Sequence, residues 1–360
     1  MDVKTAFLQG DLDYVIYMRQ PEGFEDSTHP GQSTAEPCMY YRSQNGTTEY
    51  ILIYVDDLIV ASSSKEQLGD VKKELRRAFE MTDLGELNTI WLSQRKYVEE
   101  VYLKLNMGDA KVHATPMEHG LHLRNNMAPQ NETEEQERSS VPYRNAVGSL
   151  IYAIAVAMRI VSKYLAKPGK EHWSAAKRII RYLKGTSELG ILLGGKENAS
   201  EPRKLVGYSD SDYAGCLDTR RSTTGFIFMF NGPFTWQSQR QSTVALSSLQ
   251  AEYMPLPPGT NEAVWLCLLA GELGFKQDGP TMLFEDNQGA IALARNPKLH
   301  DTTSHIGVRY CFIREELGHL EIALEYLSTQ DMGADISTEP LARDQFLTRR
   351  DACEITKHVL

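Results

Sequence analysis

Cysteine is scarce in this sequence, and its spacing excludes two classes of small stabilised domain. Only five cysteines occur among 360 residues. They show no paired spacing, which argues against a disulfide framework and against a zinc knuckle. An odd, scattered set of this kind is typical of a reducing compartment, so we expect an intracellular protein. The five are Cys38, Cys216, Cys267, Cys311 and Cys353.

The sequence also shows neither a secretory signal nor a membrane-spanning stretch. The N-terminus lacks the basic-then-apolar pattern of a secretory signal. The longest apolar stretch, residues 150–157, is far shorter than the roughly 20 residues that span a bilayer. We therefore expect no membrane partner. There is also no internal repeat.

The chain also lacks the net positive charge that is common in nucleic-acid-binding proteins: its formal net charge is −10. The distribution of charge is more informative than the sum. Between residues 159 and 184 basic residues dominate, and an apolar stripe recurs at helical spacing. A basic helix face can track phosphates, but a solvated helix face explains the pattern equally well. The basic residues that flank the stripe are Lys177, Arg178, Arg181 and Lys184.

Four acidic residues stand out in the second half of the chain. Each lies in a context suited to holding a metal ion: one in a strand, one at a helix start, one at a strand end and one in a short helical segment. Two divalent ions about 3.5–4 Å apart can clamp the attacking water and the leaving oxygen of a phosphodiester. Magnesium prefers carboxylate oxygens and water, so no His or Cys cluster is needed. The four residues are Asp210, Glu252, Asp286 and Asp335.

With 48 acidic residues in the chain, such a quartet can also arise by chance. The surrounding motifs favour the functional interpretation. They resemble, in the same order across residues 205–341, the ribonuclease H domain of copia-type LTR retrotransposon Pol polyproteins. The matching segments are residues 208–215, 243–248, 251–254, 286–288, 308–310 and 334–336, with Pro340 and Leu341 behind them.

The resemblance implies a fold, an activity and a location. It implies an α/β RNase H-like domain with a mixed five-stranded sheet, flanking helices and the carboxylates at one end. The implied activity is hydrolysis of the RNA strand of an RNA–DNA hybrid with two Mg²⁺ ions, or Mn²⁺ in their place, and no other small-molecule cofactor. Asp210 and Asp286 would contact both ions, and Glu252 and Asp335 one each. The implied location is cytoplasmic, in a virus-like particle, or nuclear.

The beginning of the chain resembles the reverse transcriptase of the same polyproteins. Residues 1–10 are similar to its first catalytic motif, which gives Asp2 as a metal ligand. Asp56 and Asp57 follow a strand-like apolar run and match the second motif, at a predicted hairpin tip. Phe7 falls where the family places the aromatic residue that rejects a ribose 2′-hydroxyl. An ordinary core aromatic explains Phe7 equally well.

Departures from the family pattern predict that the polymerase activity is lost and that the nuclease activity is weak or lost. We expect the fingers and half the palm, which precede the first motif in the family, to be absent, together with internal segments that grip template and primer. Metal ligands need packed neighbours to hold them to about 0.5 Å. Pro255, Pro257 and Pro258 follow Glu252, and in a helix interior each proline costs about 3 kcal/mol or more. We expect them to disorder the helix that carries Glu252.

The predicted organisation is a degenerate copia-type Pol fragment with an α+β part followed by an α/β part. A truncated α+β reverse-transcriptase palm and thumb remnant covers residues 1–117, and a polar, flexible linker 118–140. A basic helical connection covers 141–200, the RNase H-like domain 201–341, and a tail 342–360. Two alternatives stay open: a module that binds nucleic acid without cutting it, and an inert pseudogene product.

Overall fold

The structure is a computed structural model of the chain. It describes residues 2–3, 33, 35–44, 46–55, 57–87, 89–150, 155–194, 204–295, 307–319 and 321–357. The predictions for Phe7 and Asp56 lie outside these residues. Two compact units divide the chain, residues 1–88 with 268–276, and residues 89–267 with 277–360. The predicted boundaries at 117, 140, 200 and 341 remain a prediction.

The first unit is built on an antiparallel sheet with one helix against it. The strand order is β2-β3-β4-β1-β5, and the helix α1 is capped by Ser64, which accepts a hydrogen bond from the backbone N–H of Gln67. Apolar side chains of the sheet and of α1, among them Ile51 and Val71, form its core. The elements are β1 (Asp2–Val3), β2 (Met39–Gln44), β3 (Thr47–Tyr54), β4 (Asp57–Ser62), α1 (Lys65–Ala78) and β5 (Met81–Thr82).

The second unit begins with a helical part. Its helices bury a common apolar core that includes Leu150 and Ile180 and extends to Phe346 near the end of the chain. The elements of this part are β6 (Thr89–Leu92), α2 (Arg95–Lys104), a 3-10 helix (Asn125–Met127), α3 (Glu132–Ser139), α4 (Tyr143–Leu150), α5 (Ala155–Ser162), α6 (Lys170–Gly185) and β7 (Leu189–Gly194).

The predicted linker contains regular structure. The helix α3 lies within residues 118–140, where the sequence predicts a flexible segment. Its physical basis is local: Asn131 caps the helix by accepting a hydrogen bond of 2.9 Å from the N–H of Glu134. Acidic residues in the first turn are favourable beside the positive end of the helix dipole. The acidic composition that suggested disorder therefore stabilises a helix start.

The remainder of the second unit, together with the end of α8 that belongs to the first unit, carries a mixed five-stranded sheet in the order β10-β9-β8-β11-β12. The first three strands are antiparallel, and β11 pairs parallel with both β8 and β12. Helices connect the strands, which confirms the predicted mixed sheet with flanking helices. The elements are β8 (Val206–Ser211), β9 (Thr223–Met229), β10 (Pro233–Arg240), α7 (Ser248–Tyr253), α8 (Leu256–Glu272), β11 (Thr281–Glu285), α9 (Gln288–Arg295), α10 (Gly307–Gly318), β12 (Ile322–Tyr326), a 3-10 helix (Gly333–Ser337), α11 (Arg343–Ala352) and β13 (Ile355–Lys357).

The prolines after Glu252 do not disorder its helix, so that prediction is wrong. The helix α7 ends at Tyr253, and α8 begins at Leu256. Pro257 and Pro258 therefore occupy the first turn of α8, where backbone N–H groups have no partner inside the helix. The N–H of Gly259 is the first in this segment to donate a hydrogen bond along the chain, to the carbonyl of Pro255 at 3.0 Å. The prolines mark a boundary between two helices.

A third, three-stranded sheet in the order β13-β7-β6 joins the end of the chain to the helical part of the second unit. Among the described residues, no helix is both long and apolar enough to cross a membrane.

Candidate metal centre

Three of the four predicted carboxylates meet at one end of the five-stranded sheet. Asp210 lies near the end of β8, Asp286 directly follows the neighbouring parallel strand β11, and Glu252 projects from α7. The carboxyl ends of two adjacent parallel strands point to the same edge, which brings Asp210 and Asp286 together. One carboxylate oxygen from each of the three residues lies within 4.8 Å of the others.

Local sequence explains how α7 presents Glu252. Ser247 caps the helix by accepting a hydrogen bond of 3.1 Å from the N–H of Gln250. Ala251 and Tyr253, on either side of Glu252, are fully buried, so the short helix is anchored against the sheet. The backbone N–H of Ser211 in β8 donates to the Glu252 carboxylate. Strand and helix thereby fix each other at the cluster.

Asp335 lies beside the other three carboxylates, but it is engaged elsewhere. It belongs to the 3-10 helix Gly333–Ser337, which packs on β8 and β9. Its carboxylate is 3.5 Å from a guanidinium nitrogen of Arg349, and both side chains are almost fully buried. Asp335 nevertheless contributes to raising the pKa of Asp210. The structure thus places the predicted fourth ligand next to the cluster, within an ion pair.

Burial and mutual repulsion make proton loss from the cluster unfavourable. Burial, with Asp335 next in importance, raises the pKa of Asp210 to about 8. Burial and then the charge of Asp210 raise the pKa of Glu252 to about 11. Burial raises the pKa of Asp335 to about 7, although Arg349 opposes that shift. Closely spaced acids of this kind are relieved either by protons or by a cation.

The donor set fits a hard divalent cation. All of the clustered ligand atoms are carboxylate oxygens, which Mg²⁺, Mn²⁺ and Ca²⁺ prefer. The Oε2 atom of Glu252 is buried without a hydrogen-bond partner in the part of the chain that is described. A buried acceptor without a donor is costly, and a cation at this point would satisfy it. The cluster is therefore suited to a divalent metal.

Two hydroxyl groups orient the acids, and neither could be recognised from the sequence. Thr338, just after the 3-10 helix, donates a hydrogen bond to Asp210. Thr329 donates to Asp286 across a distance of 2.6 Å. Neither threonine belongs to the segments that resemble the ribonuclease H domain, and both lie far from their partners along the chain.

A fifth carboxylate, that of Glu285, lies next to the cluster and interacts with Asp210 and Asp286. Glu285, the residue before Asp286, is completely buried in β11. Ser209 donates a hydrogen bond of 2.8 Å to its carboxyl group, and burial raises its pKa well above the usual range. A buried acid at the end of an apolar strand could have been recognised in the sequence, because it interrupts the apolar run.

Part of the second predicted metal site lies in the first unit. The strand β1 places Asp2 directly opposite Asp57 of β4 in an antiparallel pair. The turn before Asp57 includes Val55, whose φ of 57° is in the left-handed region. The backbone therefore brings the first motif to the hairpin tip, as expected for a site made from one strand and one hairpin. The roles of Asp2, Asp56 and Asp57 as metal ligands stay a prediction.

The predicted phosphate-binding residues of α6 are half-buried and partly engaged within the protein. Arg178 donates to the hydroxyl of Thr115 at 2.9 Å, and Lys184 donates to the carbonyl of Ala110 at 3.0 Å. The ammonium group of Lys177 lies 5.7 Å from the ring centre of Trp173. Fewer donors are left for phosphates than the sequence suggested, so nucleic-acid binding by Lys177, Arg178, Arg181 and Lys184 stays a prediction.

Comparison with known proteins identifies the family. A family model described as reverse transcriptase (RNA-dependent DNA polymerase) matches residues 27–119. The retrovirus-related Pol polyprotein from transposon TNT 1-94 of Nicotiana tabacum is 37% identical over 403 residues, covering 96% of this chain and 30% of that protein. The Pol polyprotein from transposon RE1 of Arabidopsis thaliana is 31% identical, covering 96% of this chain and 26% of that protein.

Solved ribonuclease H structures also align with the chain. The N-terminal RNase H domain of a Mycobacterium tuberculosis protein aligns with 42% of this chain and 98% of that chain, at 15% identity and a TM-score of 0.28. Such a score is too low to support a fold assignment, which rests instead on the strand order and the position of the acids. The chain spans less than a third of the two plant polyproteins. With its reverse-transcriptase and RNase H-like regions, it belongs to the copia-type LTR retrotransposon Pol polyproteins.

Proposed function

We propose that the RNase H-like domain, residues 201–341, hydrolyses the RNA strand of RNA–DNA hybrids with Mg²⁺. The observation that carries this proposal is the convergence of Asp210, Glu252 and Asp286 within 4.8 Å, with a buried oxygen of Glu252 that lacks a partner. RNA-directed DNA synthesis produces such hybrids, and the chain belongs to a family with that activity. An intracellular location, in the cytoplasm or the nucleus, remains part of the proposal.

The four acids and two threonines have different roles in this proposal. Asp210 and Asp286 would hold both ions, and Glu252 and Asp335 would hold one each. Divalent ions bound there would lower the pKa of the attacking water and stabilise the leaving oxygen. Thr338 and Thr329 keep the carboxylates of Asp210 and Asp286 oriented. Asp335 has to leave its ion pair with Arg349, at least in part, to contribute an oxygen.

A pair of arginines near this end of the sheet suits the sugar–phosphate backbone. Arg159 of α5 and Arg240 at the end of β10 are both half-buried. Burial and the charge of Arg240 lower the pKa of the Arg159 guanidinium. Neither arginine forms an ion pair with an acid in the described ranges. Two guanidinium groups that repel each other attract an anion, and a phosphate of the hybrid meets that requirement.

The test is cleavage of a labelled RNA–DNA hybrid by the full chain. Parent protein with Mg²⁺ is expected to cut the RNA strand, and chelation is expected to stop cleavage. Asp286→Asn is expected to lose activity on the order of 100-fold or more, since even the partners of metal ligands contribute about 10–100-fold. Without metal, the melting temperature of Asp286→Asn should equal or exceed that of the parent, because one charge leaves a repelling cluster.

The matched control is Asp278→Asn, which makes the same charge change at an exposed position and should retain full activity. Hybrid binding without metal-dependent cleavage would favour the alternative of a non-catalytic binding module. A chain that shows neither binding nor a cooperative unfolding transition would favour an inert remnant.

A further inference from the structure

Gln241 is a buried side chain that connects the elements carrying two of the three clustered acids. It directly follows β10 and is 5% exposed. Its side-chain nitrogen Nε2 is 3.2 Å from Oγ of Ser211 in β8, 3.1 Å from Oγ1 of Thr224 in β9 and 2.9 Å from the carbonyl oxygen of Ala251 in α7. One amide thus connects two strands and a helix.

The contacts fall immediately beside the acids. Ser211 is the residue after Asp210, and Ala251 is the residue before Glu252. Ser211 also donates its backbone N–H to the Glu252 carboxylate. A shift of Gln241 would therefore move both carboxylates relative to each other.

The orientation of the amide is determined by its surroundings. The carbonyl of Ala251 only accepts hydrogen bonds, so the NH₂ group, rather than the oxygen, must face it. The backbone N–H of Gln241 donates to the carbonyl of Ser222 at 2.8 Å, which fixes the main chain at this point. A side chain held at both ends has little freedom to adjust, and positioning a metal ligand requires that rigidity.

We infer that Gln241 is a positioning residue for the metal centre: it sets the separation of Asp210 and Glu252 and thereby the affinity for divalent ions. The inference rests on the proposed function for its biological meaning. Its physical test needs only metal binding. Gln241 acts on the acids through their chain neighbours Ser211 and Ala251.

The experiment compares Mn²⁺ binding to the full chain, followed by the paramagnetic resonance signal of free Mn²⁺, in parent and Gln241→Met. Methionine keeps a similar volume but cannot donate. The dissociation constant is expected to rise about 10- to 100-fold, the usual effect of removing a partner of metal ligands. The matched control is Gln239→Met, two residues earlier in β10, where the side chain is exposed. Its dissociation constant should stay within about twofold of the parent value.

Thermal unfolding in chelator separates positioning from simple loss of the fold. A cooperatively unfolding Gln241→Met protein with weaker Mn²⁺ binding supports the inference, and the same protein with unchanged binding overturns it. If Gln241→Met does not fold, Thr224→Val decides, because it removes one anchor of the amide while keeping its shape. It should weaken Mn²⁺ binding in the same direction, and unchanged binding there would overturn the inference.

Hybrid cleavage, measured in parallel, keeps the two proposals apart. A parent that binds Mn²⁺ but does not cut the hybrid removes the proposed function, while the affinity of Gln241→Met still decides the role of Gln241. A parent that binds no Mn²⁺ overturns both.

Discussion

At the scale of single residues, the acidic cluster couples stability to pH. The pKa of Asp210 is raised to about 8 and that of Asp335 to about 7, mainly by burial. The unfolded chain releases these protons near pH 4. Between those limits the folded protein holds more protons than the unfolded chain, so its free energy of unfolding falls as pH rises. This direction is opposite to that of an acid stabilised by a salt bridge.

The raised pKa values of Asp210 and Asp335 predict how the melting temperature changes with pH. In chelator, the melting temperature should decrease as pH rises from about 5 to about 8, the interval in which Asp210 and Asp335 ionise. Asp210→Asn should flatten this decrease, whereas the exposed Asp278→Asn should not. Added Mg²⁺ should restore stability most strongly at the upper end, because metal replaces the protons. Calorimetry across that range measures the effect, and a melting temperature independent of pH in the parent would contradict the raised pKa values.

How much of the site could be predicted depends on the kind of residue. Asp210, Glu252 and Asp286 stand in recognisable strand and helix contexts, and the structure brings them together. Their partners were not predictable. Thr338 is 128 positions from Asp210 in the chain, and a hydroxyl carries no local pattern that reveals such a contact. The Arg349 ion pair that engages Asp335 was missed for the same reason.

At the scale of elements, one glycine allows a close approach. Gly225 of β9 pairs with Asp210 of β8. A Cβ atom at Gly225 would lie 2.8 Å from Cβ of Ser337 and 2.9 Å from Cγ2 of Thr338. These distances are shorter than normal packing allows, and the neighbours belong to the segment that carries Asp335. The absence of a side chain at Gly225 therefore lets this segment reach the cluster.

Gly225→Ala should consequently push the segment 333–338 away from β9. We expect a loss of about 1–3 kcal/mol in the free energy of unfolding, the usual cost of overpacking. Weaker Mn²⁺ binding should accompany it, because Thr338 and Asp335 move from Asp210. Gly271→Ala is the matched control, since its new Cβ would meet nothing within 4 Å and alanine favours helices. Denaturant unfolding and Mn²⁺ titration measure both effects, and a Gly225→Ala protein as stable as the parent would refute the packing argument.

Element boundaries show two places where the local structure could not be seen in the sequence. The acidic stretch with α3 was predicted to be flexible, because composition does not reveal an Asn131 cap. The prolines after Glu252 were predicted to break a helix, because one continuous helix was assumed. The chain instead ends α7 at Tyr253 and starts α8 at Leu256. Composition and propensity describe segments, whereas capping and a change of direction depend on single positions.

At the scale of the whole molecule, the mixed five-stranded sheet with its flanking helices was the most predictable feature. Motifs in family order place strands and helices in sequence, and a mixed sheet with acids at its carboxyl end follows. The polymerase region is different. The alignment with the tobacco polyprotein runs over 403 positions, more than the 360 residues of this chain. The tobacco protein therefore has internal residues without a counterpart here.

The last prediction concerns that polymerase region. The antiparallel pairing of Asp2 with Asp57 assembles part of a metal site, but primer extension also requires template and primer to be gripped in register with it. From the resemblance of the sequence to the family, we expect the segments that grip template and primer to be among the residues without a counterpart here. We therefore expect no extension of a DNA primer on an RNA template with either Mg²⁺ or Mn²⁺, in the same preparation that is tested for hybrid cleavage. The measurement is incorporation of labelled nucleotide, with Asp57→Asn as the matched control. Extension by the parent that disappears in Asp57→Asn would show that the shortened palm still aligns primer and metal, and the polymerase could then not be regarded as lost.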